Sequence, residues 1–214
     1  MQKKSTNRVD VADIFDSVAN QLRNDRDKLN DLDRVEGNGN HGDNALHNFE
    51  LVSQTLHNNQ GQGDVGDRLR AAAQRLQQNG RGATAGMYAQ GLTQAAQQLQ
   101  GRQNVGLDDI MPLLQGLLGG VQQSTNAQPG QGTLLDSLMP GIMGYMGARS
   151  SGRSNSEAIM DALGAAMRGS NQTYTQPSPF GSSRRSGRQP YRDPGAASAN
   201  SMLEGLFKSI TGLG

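Results

Sequence analysis

The chain has 214 residues with 20 basic and 19 acidic side chains, a formal net charge of +1, which excludes the strongly cationic surface of a nucleic-acid coat. It contains no cysteine, so disulfide staples, thiolate metal sites and cysteine nucleophiles are excluded as well. A hydrophobic fraction of 34 % with only 4 % aromatics leaves the core to Leu, Ala, Val, Ile and Met, and the length suits one ordinary domain.

Residues 1–8 carry Lys3, Lys4 and Arg8 among polar neighbours and have no apolar run of the kind a secretory leader needs. They are expected to be a disordered N-terminus ahead of one helical domain over residues 9–214. From there on, apolar side chains recur at offsets of three and four, the spacing of one helix face. The stripes are Ile14, Val18, Leu22, Leu29; Ala45, Phe49, Val52, Leu56; Val65, Leu69, Ala72, Leu76; and Leu92, Ala95, Ala96, Leu99. They continue through Ile110, Leu113, Leu114, Leu117, Leu118, Val121; Leu134, Leu135, Leu138, Ile142, Met146; Ile159, Met160, Leu163, Met167; and Met202, Leu203, Leu206, Phe207, Ile210. No run alternates like a strand. The expectation is an all-α, single-domain antiparallel barrel or bundle of about eight amphipathic helices joined mostly by short turns. The exception is residues 169–193, a long Arg/Ser/Pro-rich connection of the sort that serves as a lid or a linker. The longest apolar stretch, residues 111–121, is broken by Pro112, Gln115 and glycines and is far short of the ~20 residues a membrane span needs. A cytoplasmic protein with neither membrane nor nucleic-acid partner is expected.

The stretch with the most chemical content is Leu32-Asp33-Arg34-Val35-Glu36-Gly37-Asn38-Gly39-Asn40-His41-Gly42-Asp43-Asn44. Glycines between two amphipathic helices let the backbone turn tightly while oxygen-bearing side chains of Asp33, Asn38 and Asn40 converge. A hard cation asks for such donors, and magnesium usually also takes phosphate oxygens from its ligand. The following helix presents its free N–H groups to any phosphate nearby. A Gly/Asn cluster between helices is also an ordinary turn, and the residues by themselves leave both readings open.

Leu32-Asp33 with Gly37-Asn38-Gly39-Asn40-His41-Gly42 and Asn44 resembles the LD…GDGDHG..N signature of the dihydroxyacetone kinase L-subunit (DhaL) family. Three further segments are similar in the same order. Gly82-Ala83-Thr84-Ala85-Gly86 resembles the family's Gly-rich Thr/Ser-Gly loop. Ala127-Gln128-Pro129-Gly130 with Thr133-Leu134-Leu135-Asp136-Ser137-Leu138-Met139-Pro140 resembles its GAKPGDKTMLDALLP segment, and Asp193-Pro194-Gly195-Ala196 with Ser198 its DPGA turn.

The resemblance implies a helical barrel with ADP or ATP held at one end by interhelical loops. It implies Mg2+ on Asp33, Asn38 and Asn40, and nucleotide contacts from His41, Asn44, Gly82, Thr84, Gly86, Asp193, Pro194 and Gly195. Catalytic roles fall to His41 and to Arg185, the best local match to the family's arginine ahead of the DPGA turn. The implied partners are an acceptor-binding (DhaK-like) kinase subunit carrying dihydroxyacetone and a phosphoryl donor protein. Catalysis of that type is positioning plus charge neutralisation.

The sequence departs from the family where charge matters. Asn38 and Asn40 stand where the family has the second and third metal aspartates, and Gln131 and Gly132 where it has an Asp-Lys pair. At an effective dielectric of about 20, each carboxylate some 4 Å from a cation contributes on the order of several kcal/mol before desolvation, so a two-metal site is expected to be severely weakened. Glu36 and Asp43 are near enough in sequence to compensate in part. Two readings follow: a kinase subunit with weakened metal binding, or a catalytically inactive module that senses nucleotide. His47 and His57 are expected to face solvent. The methionines Met139, Met143 and Met146 are expected in the core.

Overall fold

The computed structural model describes residues 8–35, 37–106 and 194–211, with positions 109, 113, 143, 144, 147, 148, 150–153, 157, 158 and 161 in between. Among the described residues five named helices form: α1 (Val11–Asp33), α2 (His41–Asn58), α3 (Val65–Asn79), α4 (Ala85–Gln98) and α5 (Pro194–Thr211). The only extended pairing among them is an isolated bridge between Val9 and Val105. The fold is all-α, as the periodicity implies. The stripes expected over residues 110–121, 134–146 and 159–167 lie outside the described residues apart from single positions, and the connection over residues 169–193 lies wholly outside them.

Each described helix is set by its apolar face. All sixteen positions of the first four stripes are buried, together with Leu203 and Leu206 of α5. Burying one such Leu or Val side chain contributes about 1.5–3 kcal/mol, so the stripes drive the helices together. α5 packs on α1, α1 on α2, α2 on α3 and α3 on α4. α1 and α2 cross closely at Gly42, where a Cβ would stand 2.2 Å from the Arg26 carbonyl oxygen; only a residue without one fits.

The two ends of this array are chemically different. At one end α1 and α3 begin, each capped by a carboxylate. Asp10 Oδ1 accepts the Ala12 N–H at 2.8 Å, and Asp64 forms a reciprocal capping box with Asp67. Asp64 also accepts the Gly101 N–H at 2.6 Å, and the Val9 N–H donates to the Val105 carbonyl at 2.9 Å. The guanidinium of Arg68, 4 % exposed, closes this end. It donates to Asp10 at 2.7 and 3.0 Å and to the Leu56 carbonyl at 3.1 and 3.3 Å. Those bonds join the start of α1, the end of α2 and α3.

At the opposite end α1 stops and α2, α4 and α5 start. The N-caps of α2 and α4 are Asn40 and Thr84, and neither makes a side-chain capping bond. The Asp43 N–H of α2 is taken by Asn30 Oδ1 at 3.2 Å and the Ala85 N–H of α4 by the Gly82 carbonyl at 3.4 Å, while the positive dipole ends of both helices point to this end.

Candidate functional site

Between the turn that ends α1 and the turn that opens α4 lies a cavity of about 510 Å³ lined by Asp33, Gly37, Asn38, Asn40, His41, Asn44, Arg81, Gly82, Ala83 and Thr84. Seven of these, Asp33, Asn38, Asn40, His41, Asn44, Gly82 and Thr84, are positions singled out from the sequence. They come from segments some forty residues apart, brought together because α2 carries one turn at its start and holds the other against its flank.

That holding is the work of Asn48. Its side chain is fully buried; Nδ2 donates to the Arg81 carbonyl at 2.8 Å and Oδ1 accepts the Arg81 N–H at 2.7 Å. One carboxamide thus satisfies a whole peptide group and pins the loop of residues 80–84 to α2. His47 adds a contact from its Nε2 to the Asn79 carbonyl at 3.2 Å. Gly82 adopts φ +74°, and a Cβ there would meet Asn44 Nδ2 at 2.9 Å, so the turn needs glycine for both torsion and space. Replacing Asn48 with leucine is expected to cost about 1–3 kcal/mol, because the Arg81 peptide group loses both partners. Chemical denaturation of wild type and variant measures it, and proteolysis should cleave the variant first within residues 80–84.

On the other wall, the turn of residues 37–40 folds its oxygens onto itself. Asp33 Oδ2 and Asn38 Oδ1 both accept the Asn40 N–H, at 3.0 and 3.3 Å. Asn40 Oδ1 accepts from Asn44 Nδ2 at 2.8 Å. Asp43 does not compensate for the missing carboxylates. Its carboxylate accepts from Asn30 Nδ2 at 3.1 Å and approaches Arg26 Nε to 3.7 Å, engaged by α1 and absent from the cavity lining.

The donor set decides what cation chemistry fits. Among the described lining residues Asp33 carries the only negative charge and Arg81 a positive one. Among the described residues no group of three or more His, Asp or Glu gathers to hold a metal. From the described residues a pair of dications would meet one carboxylate and one guanidinium, and these residues do not fit a two-magnesium centre.

Behind the cavity the start of α5 joins the site. Ser198 Oγ donates to the Gly195 carbonyl at 2.8 Å and lies 3.1 Å from His41 Nε2. With the single hydroxyl proton committed to Gly195, the Nε2–H of His41 is the donor in that contact. Tyr88, on α4, is fully buried beside the hydroxyls of Ser198 and Thr84. Burial pushes its phenol up to about 12, the two hydroxyls offsetting part of the rise. Neither is placed to meet a hydrogen bond's distance and angle, so the Tyr88 hydroxyl has no such partner among the described residues.

The remaining positions divide as follows. Pro194 and Gly195 form the first turn of α5, behind His41 and outside the lining. Gly86 is exposed in the first turn of α4 and does not line the cavity. Asp193, Arg185 and Glu36 lie outside the described residues. His57 is exposed and contacts Asp16 Oδ2 at 2.7 Å, far from this end of the array. Arg81, in the lining, and Asn48, bonded to its peptide group, are the positions at this cavity that sequence reasoning missed. Arg81 sits immediately before the glycine-rich turn and its charge was a usable signal; nothing in the spacing marks Asn48.

No helix among the described residues is long and apolar enough to cross a membrane. No curated protein sequence matches the chain. Its structure is similar to the crystal structure of the dihydroxyacetone kinase of C. freundii in its native form, with a TM-score of 0.59 and 20 % identity over 98 % of this chain. The chain spans 37 % of that enzyme, so the likeness concerns the helical fold. Residues 36–208 match the DAK2 domain, a span that takes in most of the chain and the whole of the cavity except Asp33, and the protein therefore belongs to the DAK2 domain family, the DhaL-type domain of dihydroxyacetone kinases.

Proposed function

We propose that the cavity receives the polyphosphate of ADP or ATP and that the protein is a DhaL-like nucleotide-binding unit of a dihydroxyacetone kinase-type phosphotransferase system. The single observation that carries this reading is the convergence of Asp33, Asn38, Asn40, His41, Asn44, Gly82 and Thr84 on one cavity. In this reading the positive dipole ends of α2 and α4, whose N-cap side chains make no capping bond, face phosphate. His41, held by Ser198, lines the cavity beside the phosphates, and Arg185 closes over the transferring group. The acceptor is carried by a separate DhaK-like subunit and the phosphoryl group originates from a donor protein, all in the cytoplasm. Magnesium binds weakly, with Asp33 supplying charge and Asn38 and Asn40 only neutral oxygens.

The loss of two carboxylates from the turn favours a second reading on the same site: a module that senses adenine nucleotide and regulates a partner without turnover. Phosphate transfer to the subunit-held acceptor separates the two.

Saturation with ADP is expected to stabilise the folded chain by roughly 2.7 kcal/mol at a hundred times the dissociation constant, a rise of about 5–10 °C in the unfolding midpoint for a domain of this size. Differential scanning fluorimetry reads it directly. The double variant Asn38→Asp/Asn40→Asp is expected to gain a magnesium-dependent increment of ADP affinity of about tenfold or more, from two added carboxylates. An absence of any ADP shift would refute the nucleotide reading, and an absence of the increment would mean that residues 38 and 40 do not face the phosphates.

A further inference from the structure

We propose that the cavity holds the diphosphate of its nucleotide through protein donors alone, with no divalent cation required; this rests on the nucleotide reading above and names how that ligand is held. The usual difficulty of a diphosphate is its negative charge, which either dications or fixed positive groups must offset. Here the cavity offers fixed groups. Arg81 lines it, and its guanidinium makes no ion pair or hydrogen bond with any described side chain. Its backbone is clamped on both sides by Asn48, so the root of the side chain is preorganised while the fork remains available for bidentate contact with phosphate oxygens.

The two asparagines change the sign of the opposite wall. Their carboxamide oxygens accept from the Asn40 N–H and from Asn44 Nδ2, which leaves each Nδ2 as a donor. A carboxylate at either position has no proton to give; a carboxamide has two. The same replacement that strips a metal of its ligands therefore supplies phosphate with donors. The positive dipole ends of α2 and α4, whose N-cap residues Asn40 and Thr84 make no side-chain capping bond, open on the same space, in contrast to the carboxylate-capped starts of α1 and α3. Asp33 is the one opposing charge among the described lining residues. Its Oδ2 accepts the Asn40 N–H, so it shapes the turn and, on this proposal, weakens ligand binding.

That last point separates the two modes sharply. If a metal bridges protein and nucleotide, Asp33→Asn removes the last charged ligand and binding falls. If donors alone hold the diphosphate, Asp33→Asn keeps an acceptor for the Asn40 N–H, removes repulsion and tightens binding. Isothermal titration of the full chain with ADP, in EDTA and in magnesium, provides the test. The wild type is expected to bind ADP in EDTA within about threefold of its affinity in magnesium. In EDTA, Asp33→Asn is expected to tighten binding about threefold or more and Arg81→Ala to weaken it about tenfold or more. Arg81→Lys should restore part of the affinity, and unfolding midpoints unchanged without ligand establish that the variants fold. ADP binding lost on chelation, or weakened by Asp33→Asn, while magnesium-supported affinity remains, overturns the donor mode and leaves the nucleotide reading intact. Failure to bind ADP in either buffer overturns the nucleotide reading and this proposal with it. Inorganic pyrophosphate bound in EDTA when ADP is not would uphold the donor set and overturn its assignment to a nucleotide.

Discussion

Arg68→Ala is expected to lower the unfolding free energy by about 3–5 kcal/mol, because breaking a buried ion pair from one side strands the other charge. Arg68 is 4 % exposed on its side chain and Asp10 is 19 % exposed, and the guanidinium also supplies both bonds to the Leu56 carbonyl. The truncation therefore leaves the Asp10 carboxylate with the Ala12 N–H alone and the Leu56 carbonyl without its two Arg68 bonds. Urea denaturation at neutral pH measures the loss, and a double-mutant cycle with Asp10→Asn isolates the pair term. A loss below about 1 kcal/mol would show that water replaces the guanidinium at no cost.

The same pair gives an acid signature. Hydrogen bonding from Arg68, assisted by the Ala12 N–H, holds the Asp10 carboxyl below its ordinary value of 3.8 against the opposing effect of burial. A folded pKa below the unfolded one means stability that is fully present above the unfolded value and is lost as pH falls through the folded one. The gap between wild type and Arg68→Ala should accordingly narrow as pH drops below about 4, and stay constant between neutrality and mildly acidic pH.

Phe49→Ala is expected to cost about 3–5 kcal/mol through lost transfer energy and the cavity left behind. Phe49 is 3 % exposed. Its ring stacks on Phe15 at 6.0 Å and meets Tyr88 edge-on at 5.2 Å, a geometry that adds about 0.5–1.5 kcal/mol beyond area. The chain has only four phenylalanines, four tyrosines and no tryptophan, so nothing of comparable volume stands ready to fill the gap. Tyr88 also backs Thr84, and its release is expected to weaken ADP binding along with stability. Phe49→Leu, which preserves most of the volume, should cost less than half as much. Urea midpoints at unchanged m-value check both.

What could be read from the sequence follows a physical divide. The apolar faces of α1 to α4 were legible because helix burial imposes a repeat of three and four, and the buried positions fall on the stripes. The glycine-rich turns were legible because few residues tolerate their torsions. Arg68 was not, since an arginine amid Val65, Leu69 and Ala72 is indistinguishable along the chain from one whose stem lies on the surface; its burial depends on Asp10, 58 positions away. Asn48 was hidden for the same reason, being a polar residue whose value lies in one peptide group 33 positions later. At the cavity, residue types were legible but not the sense of their hydrogen bonds. Whether Asn38 and Asn40 offer oxygen or nitrogen depends on which neighbours claim the oxygen, and that is a property of the folded turn.

The contact between His41 and Ser198 spans 157 positions. During synthesis the nascent chain exposes the first four helices long before α5 leaves the ribosome, and the wall behind His41 is missing throughout that interval. Support for His41 is thereby tied to the docking of the last described helix on the first: whatever loosens α5 from α1 also removes the backing of a residue in the opening turn of α2.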